Sequence, residues 1–204
     1  LNRLSRAWGV TVETAQVVAD LAAATPVNLG NGRAERLPAW LTLQGAANLD
    51  REEITTASLE SLMMPFAGVI RGAVAEGLAM KTLVRASANA VTLDAFQVRN
   101  PADLNTRSGR TAPEAALAVR LSGKFRTAFP DGQPAAEGQT NEAASASAPA
   151  GLKESEKESS VVLVADADLL ANDVSAREIN LFGQTLYQPF NDNLNFVLNL
   201  VEQM

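Results

Sequence analysis

The chain has 204 residues, 47% of them hydrophobic and 20% charged, which suits one globular domain, or two small ones, with a real core and gives no sign of global disorder. Its net charge of −6 sets it against phosphate backbones, and without a dense Lys/Arg stripe nucleic acid is excluded as a partner. It has neither Cys nor His, which removes thiol nucleophiles, imidazole bases, Cys/His zinc sites, disulfides and Ser-His-Asp triads. Carboxylates, Lys, Tyr187 and metal held by carboxylate oxygen are the catalytic options left.

Leu1, Leu4, Ala7 and Trp8 fall at helical spacing, and Gly9 is a natural stop for that turn. Val10 to Val12 lead into a short apolar run, Ala15 to Asp20, which predicts a buried strand. Pro26 to Arg36 contains Gly30-Asn31-Gly32 and predicts a loop or hairpin tip; without a flanking helix and a Lys, those glycines do not make a phosphate loop. Trp40 to Leu43 is the next strand. Asp50 with Glu53 has the spacing of a helix-capping box, and Thr56 starts a second candidate turn.

Phe66 to Ile70 and Met80 to Ala86 predict strands. Ala115 to Phe129 is the longest extended candidate, with Leu117, Val119 and Leu121 on one side, Arg120 on the other, and a bulge at Gly123. Residues 130–160 are rich in Ala, Ser, Gly, Pro, Gln and Glu, with Leu152 almost the only large apolar side chain, which predicts a flexible linker. Val161 to Ala165 is a continuous apolar run that fits a strand covered on both faces, as in a parallel sheet. Asn191 to Glu202 is the clearest helix, with Leu194, Val197, Leu198 and Val201 as its stripe, broadened by Phe196 and Leu200.

Strands interleaved with helices, and a doubly covered strand near the end, predict an α/β fold: a flavodoxin-like, doubly wound, mostly parallel sheet flanked by helices, formed by residues 1–204 as one domain. No stretch approaches the ~20 apolar residues that cross a bilayer. The chain opens on Leu1 without a leader pattern and closes on Met204 inside an apolar helix, so it reads as a segment of a longer protein.

The best local candidate for chemistry is Asp166 with Asp168, just past the Val161 to Ala165 strand. Carboxylates at the end of a parallel strand sit where open α/β sheets bind ligands, and two of them can hold a divalent cation. The plainer reading makes Asp166 the end of the strand and Asp168 a cap on the turn at Leu169-Leu170. It is the commoner arrangement and is preferred, so no catalytic residue, metal or cofactor is assigned, and the pair stands as a candidate ligand or partner contact. Lys124 and Arg126 flank Phe125 as the exposed basic face of a strand. Trp8, Trp40 and Tyr187 are ordinary packing residues in preference to a sugar platform. No G-x-S-x-G elbow accompanies the serines.

Three segments together resemble one family. They are Leu4-Ser5-Arg6-Ala7-Trp8-Gly9-Val10 with Val17-Val18-Ala19-Asp20; Leu117 to Phe129, containing Gly123-Lys124-Phe125; and Val161 to Leu170 with Asn193 to Val201. Their order and spacing are similar to those of ABC-type transport auxiliary proteins of the gliding-motility type. Thr127 replaces a frequent Ser, and Leu200 a frequent aromatic. The resemblance implies an accessory subunit anchored in the inner membrane by spans outside this segment and facing the periplasm or cell exterior. Its partners would be the permease and ATPase of the transporter. The family has no established catalytic residues, so a non-catalytic binding domain is the expectation, with a metal- or sugar-binding domain, or a hydrolase using Asp166 and Asp168, as the alternative. The transported substrate and oligomeric state are left open.

Overall fold

The apolar runs of this chain pair with one another as antiparallel strands, in a computed structural model that describes residues 2–28, 34–99, 106–130 and 152–203. A five-stranded sheet is formed by β1 (Val10–Glu13), β6 (Val69–Gly72), β7 (Leu78–Arg85), β10 (Ala116–Gly123) and β11 (Ser159–Val164). β10 is its centre, with β7 on one edge and β11 on the other. β2 (Gln16–Ala19), β8 (Val91–Asp94) and β9 (Arg110–Thr111) make a second sheet, and β3 (Ala24–Asn28), β4 (Ala34–Gln44) and β5 (Ser61–Pro65) a third. β12 (Ala176–Leu181) and β13 (Gln184–Pro189) form a separate hairpin.

This corrects the expected flavodoxin-like parallel sheet: every strand pair in the described residues is antiparallel, and the fold is mostly β. A parallel pair needs a crossover of a dozen or more residues, usually helical. The α-helices among the described residues are α1 (Asn2–Ala7), α2 (Gly45–Asn48), α3 (Asn172–Ser175) and α4 (Asn193–Glu202), and of these only α4 exceeds two turns.

The continuous run in β11 has a different cause. Val162 and Val164 pack on one core with Leu117 and Ala118 of β10. Val161 and Leu163 pack on a second core with Val119 and Leu121. Covered faces make a strand apolar throughout, and they do not require it to be parallel. The first core lies between the five-stranded sheet, the third sheet (Leu41, Leu43, Leu62, Met64) and α4 (Phe196, Leu200). The second is closed by Val10, Val12, Ile70, Phe125 and Trp8.

Local expectations meet mixed outcomes. α1 stops at Ala7, with Gly9 at φ +85°. The capping-box pair caps no helix: residues 51–58 form turns. Asp50 Oδ1 accepts from the Glu52 N–H at 2.9 Å. Glu53 faces β10, where it pairs with Arg120 at 2.6 Å and with Lys81 at 3.5 Å. Gly123, at φ +132°, ends β10; the register irregularities lie earlier, between Ala116 and Val119. Gly30-Asn31-Gly32 lies outside the described residues, as does 131–151 of the 130–160 segment. Its remainder is tied down, since the Thr127 N–H donates to Lys153 O and the Ser155 N–H to Phe125 O, and β11 begins at Ser159.

Helix α4 turns a different face inward from the one its stripe predicts. Phe196 and Leu200 are buried with Asn193, while Leu194, Leu198 and Val201 are exposed. The deciding residue is polar. The Asn193 side chain accepts from Met63 N–H at 2.9 Å and donates to Met63 O and Leu169 O, each at 2.8 Å. Burying an amide without those partners costs a few kcal/mol, so this contact fixes the helix rotation. Asp192 before it braces β5, accepting from the N–H groups of Glu60 and Ser61. Burial alone would raise the Asp192 carboxyl, but the Asn195 amide and these N–H groups hold it below the ordinary value.

Asn193→Ala is expected to lower stability by about 2–4 kcal/mol, because it strands three backbone partners. Leu198→Gln, on the exposed face, should change it by no more than about 0.5 kcal/mol. Urea denaturation of both variants checks the orientation of the helix.

Candidate functional site

The third sheet hands the chain to the five-stranded sheet across three residues, Phe66, Ala67 and Gly68. To make that step Phe66 adopts φ +55°, a left-handed conformation that costs a non-glycine residue on the order of 1–3 kcal/mol. It is held by its N–H to Ala39 O at 2.7 Å and by its ring, edge-on to Trp40 at 6.0 Å. Gly68 then passes so close to β1 that a Cβ there would stand 2.8 Å from Glu13 O. Its N–H donates to Ala165 O, so β6 and the end of β11 meet end to end along β10.

That junction leaves a pocket of about 250 Å³. Val12, Thr14 and Gln16 form one wall, Phe66 and Gly68 a second, and Val164 to Ala167 the third. The walls are mostly apolar, and among the described residues Asp166 is the one charged residue lining them. Its Oδ1 accepts the Asp168 N–H at 2.7 Å, whereas Oδ2 is buried with no hydrogen-bond partner. Burial, helped by the nearby charge of Asp168 and opposed by the backbone N–H groups of Asp168 and Leu169, pushes the Asp166 carboxyl up to about 7.

Of the two residues flagged from the sequence, Asp166 therefore enters the pocket wall and Asp168 stays exposed beside it, its carbonyl accepting from the Ala171 N–H. Asp166 follows the end of an antiparallel strand, so the binding rule for open parallel sheets gives it no support. As ligands for a metal ion the pair is weak, because Asp166 alone of the two lines the pocket while Asp168 stays exposed, and a divalent cation demands several oxygens. Among the described residues no three His, Cys, Asp or Glu side chains gather. Sequence reasoning missed Phe66, Thr14 and Gln16. Phe66 to Ile70 read as one strand, and nothing in Pro65-Phe66-Ala67 signals a left-handed residue. Trp8, Trp40 and Tyr187 do not form a platform: Trp8 packs on Phe125, Trp40 on Phe66, and Tyr187 sits exposed on β13.

The segments singled out by resemblance meet in space. Trp8 stacks edge-on against Phe125 at 5.0 Å, and its Nε1–H donates to Arg126 O, 118 positions away. Asp20, fully buried, accepts from the N–H groups of Ala22 and Ser87 and from the Ser87 hydroxyl. Asn193 of the last segment reaches Leu169 of the one before it. A family model, described as ABC-type uncharacterized transport system, matches residues 1–200. The chain belongs to this family. It is an auxiliary component of an ABC-type transport system. No curated protein and no solved structure matches it. The segments that define the transport-system resemblance are mostly structural braces; among the residues quoted for it, Val164, Ala165, Asp166 and Ala167 also line the pocket.

Among the described residues no helix is long and apolar enough to cross a membrane. Among the described residues the β12–β13 hairpin carries several exposed apolar side chains. Ile179 and Leu186 are cross-strand partners, and Leu181 lies on the same face. Leu181 and Leu186 are about half exposed, and Phe182 at the tip is 99% exposed.

The raised carboxyl sets a pH dependence. Because the folded value of about 7 lies above the unfolded 3.8, its contribution to stability is full below about pH 4 and is lost as pH rises through 7. Relative to wild type, Asp166→Asn should gain stability between pH 4 and pH 8, on the order of 2–3 kcal/mol after allowing for partial exposure. Urea titrations at the two pH values measure the difference, and equal pH profiles would sink it.

Proposed function

We propose that this auxiliary component is a non-catalytic docking domain of a membrane-anchored subunit of the gliding-motility type. It faces the periplasm or cell exterior and binds the permease of its transporter, which couples it to the ATPase. The observation that carries the docking role is the hairpin tip. A two-residue hairpin turn with positive φ at both central positions suits Asn-Gly or Gly-Gly. Here Phe182 and Gly183 hold φ +51° and +79°, so a phenylalanine accepts backbone strain while its ring stands in water. Both penalties are offset if a partner covers the ring. Arg177 and Glu178 are the only charged residues of the hairpin strands, so it is locally neutral in a chain of net charge −6. An uncharged apolar tip suits an apolar groove on a protein partner.

The anchoring, the orientation and the gliding type rest on the resemblance of the Trp8-Gly9-Val10, Gly123-Lys124-Phe125 and Val161 to Leu170 segments. The non-catalytic reading rests on a chain without imidazole or thiol and on a lone carboxyl biased towards its neutral form.

Co-expression of the full-length gene product with its permease and ATPase, followed by capture on a tag, tests the docking role. Phe182→Asp with Leu186→Asp should reduce recovered permease at least tenfold while the unfolding midpoint stays within about 2 °C, as expected for exposed positions. Undiminished recovery would remove the hairpin from the interface.

A further inference from the structure

The pocket at the β6–β11 junction has a chemistry of its own. Val12, Phe66, Val164 and Ala167 offer apolar cover, Thr14 and Gln16 are neutral, and among the described residues no Lys or Arg lines it to neutralise Asp166. Asp166 Oδ2 is a buried acceptor without a donor, a state that costs about 1–3 kcal/mol and more for an ionised group. Asp168 stands two residues away, and the whole chain carries a net negative charge, so the field at the pocket favours cations.

We propose that this pocket binds a compact organic cation, an alkyl- or aryl-ammonium, with Asp166 as its counter-ion and Phe66 and Val164 against its apolar body. A dry cavity of roughly 150 Å³ accepts benzene, so about 250 Å³ accommodates a ring or branched chain carrying one ammonium group. Asp166 is the carboxylate that an ammonium in the pocket meets, and the apolar walls around the pair limit its screening by water. Burial, together with the nearby charge of Asp168, raises this carboxyl to about 7, so its charged form gains from a counter-charge placed against it. A metal ion is a poorer occupant, because it demands several oxygen ligands and the walls supply one carboxylate. The strained backbone of Phe66 fits a binding role, since such conformations gather where a wall must be held in place for a ligand. This goes beyond the docking role, and either can fail without the other.

The test is a titration of the uniformly ¹⁵N-labelled protein at pH 7.5 with benzylammonium chloride, and in parallel with benzyl alcohol, a neutral molecule of the same shape. Benzylammonium should give saturable shifts of the Gly68, Ala165 and Ala167 amide signals, and benzyl alcohol should bind at least tenfold more weakly. Asp166→Asn should weaken benzylammonium binding at least tenfold. Ala167→Trp, which fills the pocket from an exposed position and keeps the carboxyl, should abolish it. Unfolding curves confirm that each variant is folded. Equal binding of the alcohol, binding unchanged by Asp166→Asn, or no saturable shift at those amides up to about 10 mM, a bond of under 3 kcal/mol, would overturn the proposal.

Discussion

Strand β10 carries large or medium apolar side chains on both of its faces, and that constraint organises the molecule. Leu117 and Ala118 belong to one core and Val119 and Leu121 to another, all without exposure. A strand of this kind cannot sit at a surface, because each exposed Leu would forfeit roughly 1.5–3 kcal/mol. The third sheet and α4 therefore cover one face, and β1, Trp8 and Phe125 close the other. Arg120 is the one charged residue on the strand, and Glu53 meets it at 2.6 Å. The chain keeps a charge there only because it brings a second charge to it.

Covering β10 also creates the pocket. One edge of β10 pairs along its length with β7, while the other is shared by β11 and the start of β6. Two strands that share an edge end to end leave a gap where they meet. Gly68 narrows it by letting backbones approach, and Phe66 walls it by turning left-handed. Asp166 emerges at that seam because β11 ends at Val164. The electrostatics of the site therefore follow from strand arithmetic: a carboxyl placed at a junction is desolvated by neighbours that were recruited for packing.

The family segments and the exposed surfaces divide the labour. Trp8, Asp20, Phe125 and Asn193 tie distant parts of the chain together by hydrogen bonds and ring contacts, so their recurrence in the resemblance reflects the architecture. Partner recognition, on the docking reading, falls to the hairpin, which contributes little to either core. A two-stranded ribbon alone is marginal in water, and this one is anchored through the Phe190 N–H to Ser175 O and the Asn191 side chain to Val174 O.

Residue types alone determined much about this protein. The lack of His and Cys set its chemical limits. Helix α1 and its glycine stop, strands β2, β4, β6, β7, β10 and β11 in part, and helix α4 were legible from local spacing, and so was the family from three short segments. Asp166 was legible as a candidate, because a carboxylate directly after an apolar run is a local signal. Tertiary structure alone decided the direction of strand pairing, since the apolar run Val161 to Ala165 reads the same whether its neighbours run parallel or antiparallel. It also decided which side of α4 faces inward, because that helix is apolar on more than one face and the choice belongs to the partners of Asn193. The hairpin was obscured by Phe182 standing where a turn-former is expected, and the left-handed turn of Phe66 leaves no trace in its neighbours. For strand direction, the rotation of α4 and the turn at Phe66 the deciding contacts join residues far apart in the chain, and no local periodicity encodes such contacts.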